Sequence, residues 1–511
     1  MRSPCCHYGS VNRSNPHPSD QTKASGSDFL QLNIDDAPTG RRSDWLAQQL
    51  RLAIADHRLP VGSRLPATRV LAGELRVSRG VVTEAYQRLM EDGHAAGRGR
   101  NGTIVVAAPA SPPEVPPAAP GAPPPPEALF AAAPGVDIFD MMRAAPARID
   151  LSPGVPDLAS FPRSAWLRAE RSVLASISAS DLGYADPRGT PALRHAIANW
   201  LARNRAIRAD PDEILVVAGT AQTLSLLGQV LRDDGISAVA VEDPGSLGAR
   251  QHLRNQRLDT PAVPVDSQGA RVDVLRDMAV PAVLLTPAHQ FPTGVVLSGE
   301  RRRELMRWAT ENDGLIIEDD YDAEHRYDRP PVPALRSILP GHVCYAGSVS
   351  KLLAPALRIG WVLAPPKYHD ALVAAKRFAD LGNATLPQQV LARFMESGEM
   401  ERQLRHLRTR HRRRRDAMVD AITTHLPHAV VHGAAAGLHL TITFDSEFAD
   451  TDLAAAALAR GVKAHPLSWH SQRPSRPGLV LGYAASAPTD IGEGVATLGT
   501  ALRRLRGGPP A

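Results

Sequence analysis

The chain has 511 residues, with 58 Lys and Arg against 53 Asp and Glu for a net charge of +5, and is 43% hydrophobic and 22% charged. That length is too great for one small domain and sufficient for a large core, and no apolar run is long enough for a membrane helix. A surplus of +5 spread so thinly says little about a polyanionic partner, so the distribution of charge has to be read instead.

The first residues, "MRSPCCHYGSVNRSNPHPSDQTKASGSD", lack the apolar segment of a signal peptide, and their Ser, Asn, Pro and Gly content predicts a disordered extension over 1–40. Cys5, Cys6 and Cys344 make neither a disulfide framework nor a zinc pattern, which fits a reducing cytoplasm and no metal site.

A small domain is predicted over 41–106. "DWLAQQLRLAIADHRL" places Leu46, Leu50, Ala53 and Ile54 on one helical face. "LPATRVLAGEL" predicts a second helix with Val70, Leu71 and Leu75 inward. "VSRGVVTEAYQRLMEDG" predicts a third, with Ser78 as N-cap, Gly93 as terminator and Val82, Ala85 and Leu89 facing the core. "GRGRNGTIVV" holds an Asn-Gly turn before a β-rich run, the signal of a hairpin. In a helix-turn-helix the start of the second of its helices enters the major groove. Arg79, Thr83 and Gln87 would be presented there, with Arg64, Arg69, Arg98 and Arg100 in reach of phosphates. The plainer alternative is a three-helix packing module with solvated arginines.

The segments "LPVGSRLPATRVLAGELRVSR", "AYQRLMEDG" and "GRGRNGTIV", in that order, resemble the winged helix-turn-helix of GntR-type bacterial transcription regulators. The resemblance implies a double-stranded DNA partner, contacts from Arg64, Arg69 and Arg79, and a wing over Arg98 to Thr103. The polar pair usual after the recognition arginine is replaced here by Gly80–Val81.

"AAPASPPEVPPAAPGAPPPPEALFAAAPG" then predicts an extended, semi-rigid linker, taken over 107–146. Beyond it, 147–506, the short apolar runs "EILVVAG", "AVAVEDP", "AVLLTPA", "GLIIEDD" and "HVCYAGS" are separated by helical patterns. Strand and helix in alternation predict an α/β domain, its mostly parallel sheet covered on both faces and its ligands beyond the carboxyl ends of the strands. Polar residues stand at those ends. Gly219, Thr220 and Ala221 occupy a strand-to-helix turn suited to a phosphate. Asp319 and Tyr321 follow another run; Ser348, Ser350, Lys351 and Arg358 follow a third. Taken singly, each has a structural alternative: an ordinary α/β turn, an acidic surface turn, a snorkelling lysine.

With "LGYADPRGTPALRHAIANWL", "VEDPGS", "TPAHQFPTGVVLS", "EDDYDAEHRY" and "SKLLAPALRIGWVLAP", the large domain resembles the fold-type I, aminotransferase-like pyridoxal-phosphate enzymes, with a smaller C-terminal α+β subdomain. The resemblance implies pyridoxal 5'-phosphate as cofactor and Lys351 as its Schiff-base lysine. It implies Asp319 at the ring nitrogen and Tyr321 at the ring hydroxyl. Ser348, Arg358 and the Gly219–Thr220–Ala221 turn would hold the phosphate. Tyr184 would reach it from a second subunit, which implies a homodimer. Winged helix, proline-rich linker and this domain in sequence are similar to the MocR subfamily, and "TPAHQFPTG", with His289 and Gln290, is typical of that branch. The expected function is a DNA-binding regulator that senses the cofactor, or an amine or amino acid, at Lys351. The alternative is an active aminotransferase with an accessory DNA-binding domain. Two residues depart from the aminotransferase pattern: Ser246 replaces a ring-stacking tyrosine, and Val480 stands nearest the substrate-carboxylate arginine, leaving Arg473 or Arg476 to substitute. In "RQLRHLRTRHRRRRDAMVDAI", Leu404, Leu407, His411, Met418 and Ile422 predict a buried stripe with the arginines on a solvated face.

Overall fold

The computed structural model describes residues 32, 34–38, 41–97, 99, 102–108, 126–322, 324–326 and 332–507. Arg98 and Arg100, and most of the expected 1–40 extension, lie outside them. The chain forms two compact units that divide between Ser111 and Pro112. Among the described residues no helix is long and apolar enough to cross a membrane.

The first unit contains α1 (Arg42–Ala55), α2 (Thr68–Glu74) and α3 (Arg79–Glu91), then β1 (Ala95–Gly97) paired antiparallel with β2 (Thr103–Val105). Leu46, Leu50, Ala53, Ile54, Leu71, Leu75, Val82, Ala85 and Leu89 make its core. Val70 does not join them. It is 42% exposed, because Leu71 and Leu75, four residues apart, set the buried stripe of α2 and leave position 70 to one side. Ser78 sits at the N-cap of α3, but its side chain makes no capping bond.

The second unit is built on an eight-stranded sheet. Its strands are β4 (Ile214–Val217), β5 (Ala240–Asp243), β6 (Ala262–Asp266), β7 (Gly269–Ala270), β8 (Ala282–Leu285), β9 (Leu315–Asp320), β10 (Val343–Ser348) and β11 (Gly360–Leu363), of which β6, β7 and β11 are absent from the sequence reading. Their order is β4-β11-β10-β9-β8-β5-β6-β7, with β10, β9, β8, β5 and β6 mutually parallel and β11 antiparallel to both neighbours. Alternate residues feed opposite cores: Leu215 and Val217 of β4 pack with Ile317 and Cys344, whereas Ile214 and Val216 pack with Tyr345 and Leu363. Burial on both faces is why these strands read as unbroken apolar runs. A smaller antiparallel sheet carries β12 (Ala429–His432), β13 (His439–Phe444), β16 (Gly478–Gly482) and β15 (His465–Pro466), in that order. A short strand β14 (Val462–Lys463) pairs parallel with β3 (Ile149–Asp150), tying the start of this unit to its end.

Two expectations need correction. The region taken as linker includes helices at Pro126–Phe130 and Ile138–Ala144, whose Leu129, Phe130, Ile138 and Met142 are buried in the core of the second unit. Their apolar spacing was outweighed by the neighbouring prolines. The arginine-rich run lies in one helix, Glu399–His425, and its predicted stripe is buried, but its arginines are not all solvated. Arg410 and Arg414 are buried and both grip the buried Asp157, at 2.8 and 2.9 Å.

Candidate functional site

A cavity of about 390 Å³ opens at the carboxyl ends of β4, β9 and β10. Lys351, Asp319, Tyr321, Ser348, Arg358, Gly219, Thr220 and Ala221 all line it. Tyr184 does not. It follows a short turn at Ser180–Leu182 and is 96% exposed.

Strand alternation separates two adjacent carboxylates. Asp320 points away from the cavity, into a buried cluster with Arg205 Nε at 2.5 Å and the Tyr345 hydroxyl at 2.6 Å. Asp319 points into the cavity, where the Thr220 hydroxyl, 3.4 Å away, is its hydrogen-bond donor. Burial first, and then the nearby Asp320, push its pKa up to about 7. Lys351 donates to the carbonyl of Gly154, and burial draws its pKa down despite Asp322 and Asp319. The Tyr321 hydroxyl lies 3.1 Å from His289 Nδ1, which is also 2.9 Å from Asp322. Burial, with Asp322 and Asp319, raises the Tyr321 hydroxyl well above its usual range, so it stays protonated.

The opposite wall is electropositive. Gly219, at φ +87°, is the N-cap of the Thr220–Asp233 helix, which directs its first N–H groups and its dipole at the cavity. A Cβ at Gly219 would stand 3.8 Å from Arg358 Nη1 and 4.0 Å from Ser350 Oγ. Arg358 itself takes a left-handed backbone, φ +51°, and Asn383 holds its carbonyl at 2.9 Å. The Ser348 hydroxyl accepts the Ser350 N–H at 2.9 Å.

The sequence reading missed several wall residues. Gly154, Phe139, Phe291, His439, His465 and His470 line the cavity. Phe139 comes from the helix Ile138–Ala144, Phe291 from the "TPAHQFPTG" stretch, and the others from loops, a short turn and the second sheet, where no local motif marks them. On the first unit, Arg64, Arg69, Arg79 and Thr83 are exposed, while Thr103 is half-buried and paired with Gly97 in the hairpin. Arg64 bridges to Ile104 and packs beside Gly102, so loop and wing form one surface.

Residues 42–105 match the family of bacterial regulatory proteins of gntR type, and residues 147–470 match aminotransferase class I and II. The probable rhizopine catabolism regulatory protein MocR of Rhizobium meliloti is 32% identical over 93% of this chain and 96% of its own length. The chain belongs to the MocR subfamily of GntR-type transcription regulators. The HTH-type pyridoxine biosynthesis transcriptional regulator PdxR of Corynebacterium glutamicum is similar as well, at 31% identity over 86% of this chain and 91% of its own. Among solved structures, the multiple substrate aminotransferase of Thermococcus profundus superposes with a TM-score of 0.68, at 27% identity over 75% of this chain and 97% of that one. The α-aminoadipate aminotransferase LysN of Thermus thermophilus, solved with N-(5'-phosphopyridoxyl)-L-leucine, gives 0.66 at 25% identity over 75% and 97%.

Within this MocR-type chain the two departures have structural consequences. Ser246 caps the Leu247–Asn255 helix, its hydroxyl accepting from the Ala249 N–H at 3.2 Å, so no ring stands at that position. Val480 is fully buried in β16, opposite Thr441 and His465. The expected substitutes are elsewhere. Arg473 is exposed and bound to Asp243 at 2.8 Å, Arg476 is exposed near His432, and neither lines the cavity.

Proposed function

We propose that the aminotransferase-like unit binds pyridoxal 5'-phosphate at Lys351 and that its occupancy, by cofactor or by an amine, governs DNA binding by the winged helix. The carrying observation is the pairing, in one cavity, of the half-buried Asp319 carboxyl, which among the described residues accepts from Thr220, with the half-buried Lys351 amine, which among them donates to the Gly154 carbonyl. Asp319, raised to about 7, gains most from a cationic ring nitrogen whose proton it would hold. Lys351, lowered by burial, is poised to lose its proton and act as a nucleophile. The Tyr321 hydroxyl would donate to the ring oxygen. The Gly219–Thr220–Ala221 turn, Ser348 and Arg358 would bind the phosphate through helix N–H groups, a hydroxyl and a guanidinium. The partner subunit's Tyr184 would complete that cradle in a homodimer. When bound, the cofactor supplies an aldehyde carbon that condenses with primary amines.

The regulator reading stands above the aminotransferase one because Val480 and Ser246 remove a carboxylate anchor and a stacking ring. Both serve turnover more than cofactor retention. A signal follows only if the ligand binds one arrangement of the winged helices better than another. Arg64, Arg69, Arg79 and Thr83, with Arg98, Arg100 and Thr103 of the wing, would form the DNA face.

The test combines two measurements on the purified full chain. Added pyridoxal phosphate should produce a visible absorbance band that Lys351→Ala lacks, and should change the affinity for DNA upstream of the chain's own gene. Arg64→Ala or Arg79→Ala should weaken that affinity, which should also fall steeply with salt. An identical band in Lys351→Ala, or DNA binding indifferent to both arginines, overturns the reading.

A further inference from the structure

The acid that follows Tyr321 is not among the lining residues of the cavity, yet it stands behind two that are. Asp322 is buried and lies 2.9 Å from His289 Nδ1. The Tyr321 hydroxyl, 3.1 Å from the same nitrogen, is hydrogen-bonded to Asp322 as well. The backbone brings this carboxylate close to Lys351. The His325 N–H donates to the Asp322 carbonyl at 2.9 Å, closing a turn after β9, and the His325 ring lies against the Lys351 backbone. On the other side, the His289 ring stands 5.4 Å from that of His439, a residue of the cavity wall. Gly437, at φ +84°, makes room for the His289 ring, because a Cβ there would collide with its Cε1.

Hydrogen bonding and charge then follow. A carboxylate only accepts, so His289 Nδ1 carries the hydrogen of its contact with Asp322. The Tyr321 hydroxyl stays protonated and gives its single hydrogen to Asp322 in this arrangement. When that hydrogen turns to a ring oxygen, the His289 N–H still holds Asp322. The field of Asp322 reaches the working groups. It is the foremost of the two acids that raise Lys351, ahead of Asp319. It also raises Asp319, Tyr321 and Glu324, as a negative neighbour must. His325 and His439 feel the same charge, but burial brings them to about 4 and about 3, so both are neutral at pH 7 and leave it unneutralised.

We propose, resting on the cofactor reading above, that Asp322 is a positioning residue of this site: clamped by His289, it holds the proton on Lys351 Nζ and orients the Tyr321 hydroxyl. Asp319 serves the ring-nitrogen end, so two carboxylates five bonds of fold apart in role, one in the cavity and one behind it, govern different protons. The charge of Asp322 sets the pH range over which the loaded chain keeps the proton on Nζ.

The test is a pH titration, from pH 5 to pH 10, of the visible band of the full chain loaded with pyridoxal phosphate, whose midpoint reports that proton. Asp322→Asn removes the charge with little change of shape and should lower the midpoint by about one pH unit or more, a tenfold loss of proton affinity. Asp322→Glu restores the charge and should keep the midpoint within about half a unit of the wild type, which separates charge from packing. Asp322→Ser is the second uncharged variant, should the amide fail to fold. A midpoint that stays or rises in the uncharged variants, or that falls equally in Asp322→Glu, overturns the proposal. A wild-type chain without the band strikes the cofactor reading itself, and the proposal falls with it.

Discussion

Lys376 is buried and Lys351 is half-buried, and their surroundings separate a reactive lysine from a structural one. The ammonium of Lys376 has three donors and three acceptors, Gln222 at 2.8 Å and Asp380 and Asn383 at 2.6 Å each. Among the described residues Lys351 has one, the Gly154 carbonyl. Asp319 is underbonded in the same way, and Asp319→Asn tests whether this costs the empty protein stability. Its folded pKa, about 7, lies above its ordinary value of 3.8. Between these values the folded chain keeps a proton that the unfolded chain has released, so stability falls as pH rises from about 4 to about 7. Asparagine cannot ionise. The cofactor-free variant should therefore gain on the wild type by on the order of a few kcal/mol between pH 5 and pH 8 in denaturant melts. The same variant should bind pyridoxal phosphate about ten- to a hundredfold more weakly, since a neutral amide cannot hold the ring-nitrogen proton. A variant both less stable and fully loaded refutes this assignment.

At the scale of elements, the helix Glu399–His425 acts at a distance from its own surface. Its Arg410 and Arg414 hold Asp157, which lies on the same loop as Gly154, the residue whose carbonyl receives Lys351. Burial would raise Asp157, yet the guanidinium groups of Arg414 and Arg410 bring it below the ordinary carboxylate value. Asp157→Ala leaves two buried guanidinium groups without their carboxylate and should cost about 3–5 kcal/mol in thermal or denaturant unfolding. Surviving folded protein should retain the cofactor less well as the Gly154 loop loosens. A solvated reading of this helix was natural, because a run such as "RHRRRR" hides which arginines fall on the buried arc. Leu407, His411, Arg414 and Met418 recur at intervals of three and four, so the arc was present in the spacing. The partner of its charges, more than 250 residues away in the chain, was not.

For the whole molecule, the exposed Tyr184 is the informative residue. Tyr184 does not line the cavity of its own chain, so the proposed phosphate contact requires a second copy. Tyr184→Ala should reduce pyridoxal-phosphate affinity several-fold, by about 0.5–1.5 kcal/mol, without lowering the melting temperature of the cofactor-free chain. Mixed dimers of Tyr184→Ala with Lys351→Ala should regain wild-type affinity in half their sites. That result requires the tyrosine of one subunit to serve the lysine of the other, and a monomer in solution rules it out.

The sequence alone determined the class of each half. Helical periodicity and the β-rich run after it marked the winged helix, and apolar runs broken by polar strand ends marked the α/β sheet; Asn101 of the expected turn lies outside the described residues. These signals are local, so spacing records them directly. Gly219, Asp319, Ser348 and Lys351 were legible for the same reason, since each sits where a strand must end. Tertiary structure decided which residues act on them. The residue Val480, the pairing of Asp322 with His289, and the charges on Asp157 derive their meaning from neighbours distant in the chain. Burial and strand pairing set their protonation and direction, and no stretch of sequence carries either.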